Sequence, residues 1–246
     1  MGLSQSGSLK ASRGAAAYSY RNGMGLLPSS EFYSIFDDFH QQTATNVPTG
    51  WAAAAIDTGA TVVQLTTALT GGNTGVLLFS DATASEGAAI WLAKSFVPTV
   101  GKKFFMELRV QTDDVTDNII QFGLSDGTVT TNPEDLWTTT SPSLITFGIQ
   151  DGAGTLTMLA DKSNTGSTLE TGTRAMVANT WHTLGIFYDG SRLSGYLDGK
   201  LALSWSQAAS TIPTGIPMLP FIGTLNGNGA GGNNNYVDYI RLVAER

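Results

Sequence analysis

The chain has 246 residues, 41% of them hydrophobic and only 13% charged, with no cysteine and a formal net charge of −7. The missing cysteines exclude a disulfide framework and thiolate metal sites, and the acidic balance excludes broad binding to nucleic acid, which needs cations to neutralise phosphates. No long apolar run or short apolar leader core occurs, so neither a membrane span nor secretion is expected, and the chain is expected to fold in a cytoplasm.

Charge is unevenly placed. Residues 1–30 hold Lys10, Arg13 and Arg21 and no acid, giving +3, while the remainder carries −10. This opening is rich in Gly, Ser and Ala without periodicity, and cannot bury enough apolar surface to fold alone. It reads as an extended arm, residues 1–30, with Tyr18, Tyr20, Leu26 and Leu27 as apolar anchors and Lys10, Arg13 and Arg21 as polar ones. Residues 31–246 read as one β domain, a size that sandwiches reach as single units.

In the body, FYSIFDDFHQ supplies a first strand and Pro48-Thr49-Gly50-Trp51 a turn. Short strands follow at 61–65, 76–79 and 89–96, separated by Gly/Thr/Asn turns, and no segment has a helical period. FFMELRV alternates cleanly: Phe104, Met106, Leu108 and Val110 face one way, Phe105, Glu107 and Arg109 the other. Glu107, followed by Arg109 on that outer face, reads as half of a surface ion pair. Asp113-Asp114-Val115-Thr116-Asp117-Asn118 turns the chain into a strand holding Ile120, Phe122 and Leu124. A long polar segment with two prolines then contains Trp137, which could stack on a sugar ring or anchor its loop.

Ile145, Phe147 and Ile149 mark the next strand, and LTMLADK returns. From Trp181 to Trp205 the chain reads as a three-stranded meander. His182, Leu184, Ile186 and Tyr188 alternate with Trp181, Thr183, Gly185 and Phe187, and two Asp-Gly pairs, at Asp189 and Asp198, make the turns. IPTGIPMLP is an irregular crossing, and FIGTLNGNGAGGNNN leads to the final strand YVDYIRLV, for about twelve strands in all.

Chemistry is sparse. A glycosidase needs two carboxylates flanking a groove, and the Glu-x-Asp-x-x-Glu pattern of jelly-roll glucanases is absent. Asp113, Asp114, Asp117 and Asn118 form the densest set of oxygen ligands, read as a solvated turn rather than a calcium loop. Asn226 and Asn234, flanking the Gly/Asn loop, could meet a glycan. Only His40 and His182 are present, His182 being read as a packed or edge residue, and no Gly-Lys-Ser/Thr motif supports phosphate binding.

WHTLGIFYDG followed by GYLDGK, FFMELRV before IIQFGLSDG, and the closing VDYIRLV together resemble the concanavalin A-like jelly-roll superfamily of laminin G-like, lectin and glucanase domains. The resemblance covers the body and implies an all-β, two-sheet antiparallel jelly-roll β-sandwich, with the last strand beside the first. Within that superfamily, the FDDF opening, FGLSDG and the low charge look most like tailed-bacteriophage structural proteins, including capsid-decorating proteins. That likeness implies a non-enzymatic virion protein without cofactor or metal, whose partners are capsid or other virion proteins and further copies of itself. Its arm would dock on neighbouring subunits. The alternative is a carbohydrate-binding module or fibre domain recognising glycans, with no nucleic-acid or membrane partner in either case.

Overall fold

A computed structural model describes residues 32–39, 48, 50–55, 61–65, 75–81, 86–127, 143–150, 154–163, 169–227 and 232–246. These form β1 (Phe32–Asp37), β2 (Trp51–Ala55), β3 (Thr61–Leu65), β4 (Val76–Ser80), β5 (Gly87–Leu92), β6 (Phe104–Thr112), β7 (Asn118–Ser125) and β8 (Leu144–Ile149). They continue as β9 (Thr155–Asp161), β10 (Glu170–Ala175), β11 (His182–Tyr188), β12 (Leu193–Leu197), β13 (Lys200–Ser204), β14 (Leu219–Asn226) and β15 (Asn234–Glu245). A 3-10 turn at Ala209–Thr211 is the one helical element among the described residues, and none there is long and apolar enough to cross a membrane.

Two antiparallel sheets face each other. One runs β13-β12-β11-β6-β15-β4-β3 with β1 also on β15, and the other runs β10-β9-β8-β7-β14-β5-β2. The long β15 organises the first sheet. One of its edges pairs with β6 throughout, while the other is shared end to end by β4, opposite residues 234–237, and β1, opposite residues 240–245. The register slips between Val237 and Tyr239, so Asp238 sits in a bulge, where a strand bends and re-aims a side chain. The last strand does lie beside the first, as the resemblance implies.

The core follows the alternation. Met106, Leu108 and Val110 on β6 and Leu184, Ile186 and Tyr188 on β11 meet Ile120, Phe122 and Leu124 on β7 and Ile145, Phe147 and Ile149 on β8. Aromatic pairs brace neighbouring strands within each sheet: Phe104 lies 5.4 Å from Tyr188 on the paired β11, and Phe122 lies 6.3 Å from Phe147 on the paired β8. Along the β10 and β13 edges the sheets nearly close, since Thr173 Oγ1 and Arg174 Nε donate to the carbonyls of Ala202 and Leu201 at 3.4 and 3.0 Å.

Among the described residues there are fifteen strands, where about twelve are expected. β2, WAAAA, carries no β-branched residue and is a strand because β5 pairs with it from Trp51↔Leu92 to Ala55↔Ala88. β10, ETGTRA, is an edge strand with half-buried and exposed residues only, so it shows no apolar alternation. The meander turns behave as expected. Asp198 (φ 50°) and Gly199 (φ 72°) both take positive φ between the paired Leu197 and Lys200, the two-residue turn whose twist suits a hairpin.

Glu107 corrects its expectation. It is fully buried, and its partner is Arg241, whose Nη2 donates at 2.6 Å, with Tyr239 Oη donating at 2.8 Å. Arg109 instead pairs with the bulged Asp238. The reason is register: Arg241 lies directly across from Glu107 on β15, whereas Arg109 is its neighbour along β6.

Candidate functional site

Three places concentrate polar chemistry. The first is an open cleft of about 700 Å³ at the end of the meander, lined by Ser191, Arg192, Ser204, Trp205, Ser206 and Gln207. Two carboxylates outside it set its hydroxyls. Asp189 Oδ1 accepts from Ser191 N, Ser191 Oγ and Arg192 N at 2.8, 2.9 and 2.8 Å. Burial alone would raise the Asp189 carboxyl, but these bonds and the nearby Arg192 charge hold it below the usual range. Glu170 Oε1 accepts from Ser206 N, Ser206 Oγ and Gln207 N at 2.9, 2.8 and 3.2 Å. Ser191 and Ser206 thus each donate the hydroxyl hydrogen bond to a carboxylate and keep lone pairs for an incoming hydroxyl. The exposed Arg192 guanidinium supplies donors, while Trp205 borders the cleft but is buried in the core, its Nε1 donating to Thr211 Oγ1 at 3.3 Å.

The second place is the outer face of the β6/β11/β15 region. Phe105, Phe187 and Tyr196 pack there, Arg241 lies 5.5 Å from the Phe105 ring, and Arg109 lies 4.7 Å from the Trp181 ring. Phe36, 57% exposed, stands 5.9 Å from Tyr239. Burial raises the Glu107 carboxyl, and Arg241 and Tyr239 oppose that shift. Glu107 Oε2 and Arg241 Nε have no hydrogen-bond partner.

The third is the end of the sandwich where β4, β6 and β14 finish and β5, β7 and β15 begin. Here two expected glycan contacts and the acidic turn come together. Asn234 N and Nδ2 each donate to Asp113 at 2.9 Å. Asn226 is fully buried, with Oδ1 accepting from Asn233 Nδ2 at 2.9 Å, so its amide braces the strand ends rather than reaching outward. Asn118 and Asn235 exchange amide bonds at 2.6 and 3.3 Å. Asp114 caps its own turn: a bond from the Thr116 N–H is foremost in lowering its carboxyl. Asp81 and Glu86, which drew no attention in the sequence, also lie here and are buried.

Lys10, Arg13, Tyr18, Tyr20, Arg21, Leu26, Leu27, His40 and Trp137 lie outside the described residues. His182 is packed as expected: its Nε2 accepts from Val177 N at 3.0 Å, which leaves Nδ1–H to donate to Asp198 Oδ2 at 2.8 Å. The cleft residues were missed because isolated serines after a turn carry no spacing signal. Among the described residues, no three of His, Asp and Glu converge as a metal-ligand group.

The sheet order, the bulged last strand and the paired termini of the body define a lectin-like jelly roll of concanavalin A type. The carbohydrate recognition domain of Emp47p has this fold, at TM-score 0.55 and 15% identity over 88% of this chain and 98% of that one. Arcelin-5, a lectin-like defence protein from Phaseolus vulgaris, matches at TM-score 0.58 and 9% identity over 87% and 98%. The transglycosylase Crh5 matches at TM-score 0.55 and 16% identity over 86% and 83%. No protein-family model and no characterised protein sequence matches the chain.

Proposed function

We propose that the protein is a non-catalytic, lectin-like module that binds glycan in the cleft between Ser191 and Gln207. The observation that carries this is the lining: three serines, an amide and a guanidinium around about 700 Å³. A cleft of this size takes a small ligand, and its hydroxyls, amide and guanidinium supply the donors and acceptors that sugar hydroxyls pair with. The non-catalytic reading is supported by the two nearby carboxylates. Glu170 is occupied by three donors, and Asp189 is held ionised below the usual range, so it cannot serve as a general acid.

Binding of the full chain to a glycan array, with and without calcium, is the test. One glycan class is expected to bind, and Arg192→Ala with Gln207→Ala should weaken it about tenfold, the worth of one or two lost hydrogen bonds, without moving Tm. An array with no binder overturns the reading, as does unchanged affinity in the double variant. The virion role implied by the phage likeness rests on the composition of residues 1–30 and the body's sequence pattern. It predicts that deleting residues 1–28 leaves a folded body that no longer binds particles.

A further inference from the structure

The connection between β5 and β6, residues 93–103, departs from the rest of the molecule in charge. It holds Lys94, Lys102 and Lys103 and no acid, in a chain whose net charge is −7. Its backbone is tied down at three places. Phe96 exchanges backbone bonds with Met218, both at 2.7 Å, Gly215 N donates to the Pro98 carbonyl at 2.7 Å, and Gly101 N donates to the Gly190 carbonyl at 2.8 Å. The Phe96 ring stacks on Tyr33 of β1 at 5.9 Å, 16° from parallel, and meets Phe104 edge-on at 5.5 Å. A pocket of about 300 Å³ opens against this stack, with Val97, Thr99, Lys102 and Arg246 also in its lining.

We propose that this pocket is a second ligand site, which takes a small carboxylate with an apolar body, a ring or a short acyl chain. Each half of such a ligand answers to a half of the lining. Val97, 42% exposed, and the stacked rings of Tyr33 and Phe96 offer apolar surface to the body. Lys102 and Arg246 offer cationic donors to the carboxylate. Lys102 Nζ gives one bond to the Arg246 carbonyl at 2.7 Å and keeps two protons to donate. Glu245, the acid in the lining, has its Oε2 taken by the N–H of Lys103 at 2.9 Å, and three cations against one acid leave the rim positive. Tyr33 adds an independent observation: its Oη is buried without a hydrogen-bond partner. A donor left unmade is costly, and a ligand oxygen entering beside the ring gives it an acceptor. Because the walls are already tied in place, little ordering opposes binding. The volume is at the small end of ligand pockets, which suits a single ring or short chain.

The pocket shares no lining residue with the cleft and stands whether or not the cleft binds glycan. The test titrates the full chain with phenylacetate and hexanoate, and with phenethyl alcohol and acetate as controls, read by backbone amide shifts. At least one of the two apolar carboxylates is expected to move the amides of residues 95–102 saturably and to leave those of Ser206 and Gln207 in place. Phenethyl alcohol, which lacks the charge, and acetate, which lacks the body, should bind about tenfold more weakly or worse, the low end of one charge-assisted hydrogen bond. Lys102→Gln should weaken the carboxylate by about the same factor, and Val97→Glu should remove saturation, both with Tm unchanged because the side chains are exposed. Tyr33→Phe should also keep Tm, since the lost hydroxyl had no partner, yet weaken the carboxylate about fivefold. No saturable shift at residues 95–102 with either carboxylate, phenethyl alcohol binding as tightly as phenylacetate, or full affinity retained in Lys102→Gln overturns the proposal.

Discussion

Glu107 and Asp81 are both carboxylates shut away from water, on the same sheet of the sandwich, and they are treated in opposite ways. Glu107 sits across from Arg241 on β15 and takes bonds from that guanidinium and from Tyr239. Asp81 has no side-chain donor at all and two acids for neighbours. Burial raises both carboxyls, but at Glu107 Arg241 and Tyr239 push back, whereas at Asp81 every contribution pushes the same way. Burial by itself therefore says little about role. What separates the two is whether the fold supplies a counter-charge, and it does so for Glu107 and not for Asp81.

The largest effect should come from breaking the supplied pair. Arg241→Met leaves Glu107 as an uncompensated buried charge, and the expected loss is about 3–5 kcal/mol in urea denaturation. Glu107→Leu combined with Arg241→Met should recover most of that loss, because an apolar pair of similar volume avoids the desolvation of both ions. Simple additivity of the two single changes would show that the two residues do not act as a unit.

At Asp81 the sign reverses. The folded carboxyl titrates near 7 against an ordinary 3.8, so ionisation is penalised in the folded state. Stability from this group is complete below about pH 4 and is lost as pH rises toward 7. Asp81→Asn removes that loss, so in metal-free buffer at pH 8 it should be more stable than wild type by roughly 2 kcal/mol, less than the shift alone implies because a buried amide wants partners too. At pH 4 the gain should vanish. A variant less stable than wild type at pH 8 would place Asp81 among the struts, with Glu107.

The contrast between these two acids could not be read along the chain. Alternation in FFMELRV and WHTLGIFYDG placed Met106, Leu108, Leu184 and Ile186 inside, because a period of two is a local property of the backbone. The same pattern set Glu107 outside the core, correctly, but its partner lies more than a hundred residues away on β15, and pairing register is not local. Asp81 drew no attention, standing alone between Ser80 and Ala82 with no spacing signal. Its burial arises from six strand ends meeting, which only topology decides. Asn226 and Asn234 were singled out as glycan contacts; in the fold Asn226 is turned inward against Asn233 and Asn234 is tied to Asp113, an arrangement set by strand ends far apart in the chain. The cleft escaped notice because its serines act through Asp189 and Glu170, and Glu170 belongs to β10, an edge strand without an apolar pattern.

A third carboxylate sets the lower end of this scale. Asp198 is about half exposed at the β12–β13 turn, and its Oδ2 takes the His182 Nδ1–H while Oδ1 takes Thr183 N at 2.9 Å. Water screens it, so its charge contributes little, and its value lies in geometry: it ties the turn to β11 and tolerates a φ of 50°. Asp198→Ala removes both acceptors and puts a Cβ residue without a polar group into the left-handed region, at an expected cost of about 1–2 kcal/mol. Asp198→Asn keeps an acceptor and suits that backbone, and should cost about 0.5 kcal/mol or less. If denaturation curves showed both variants losing the same amount, negative charge rather than turn geometry would be what Asp198 supplies, and exposed and buried acids would differ here in degree alone.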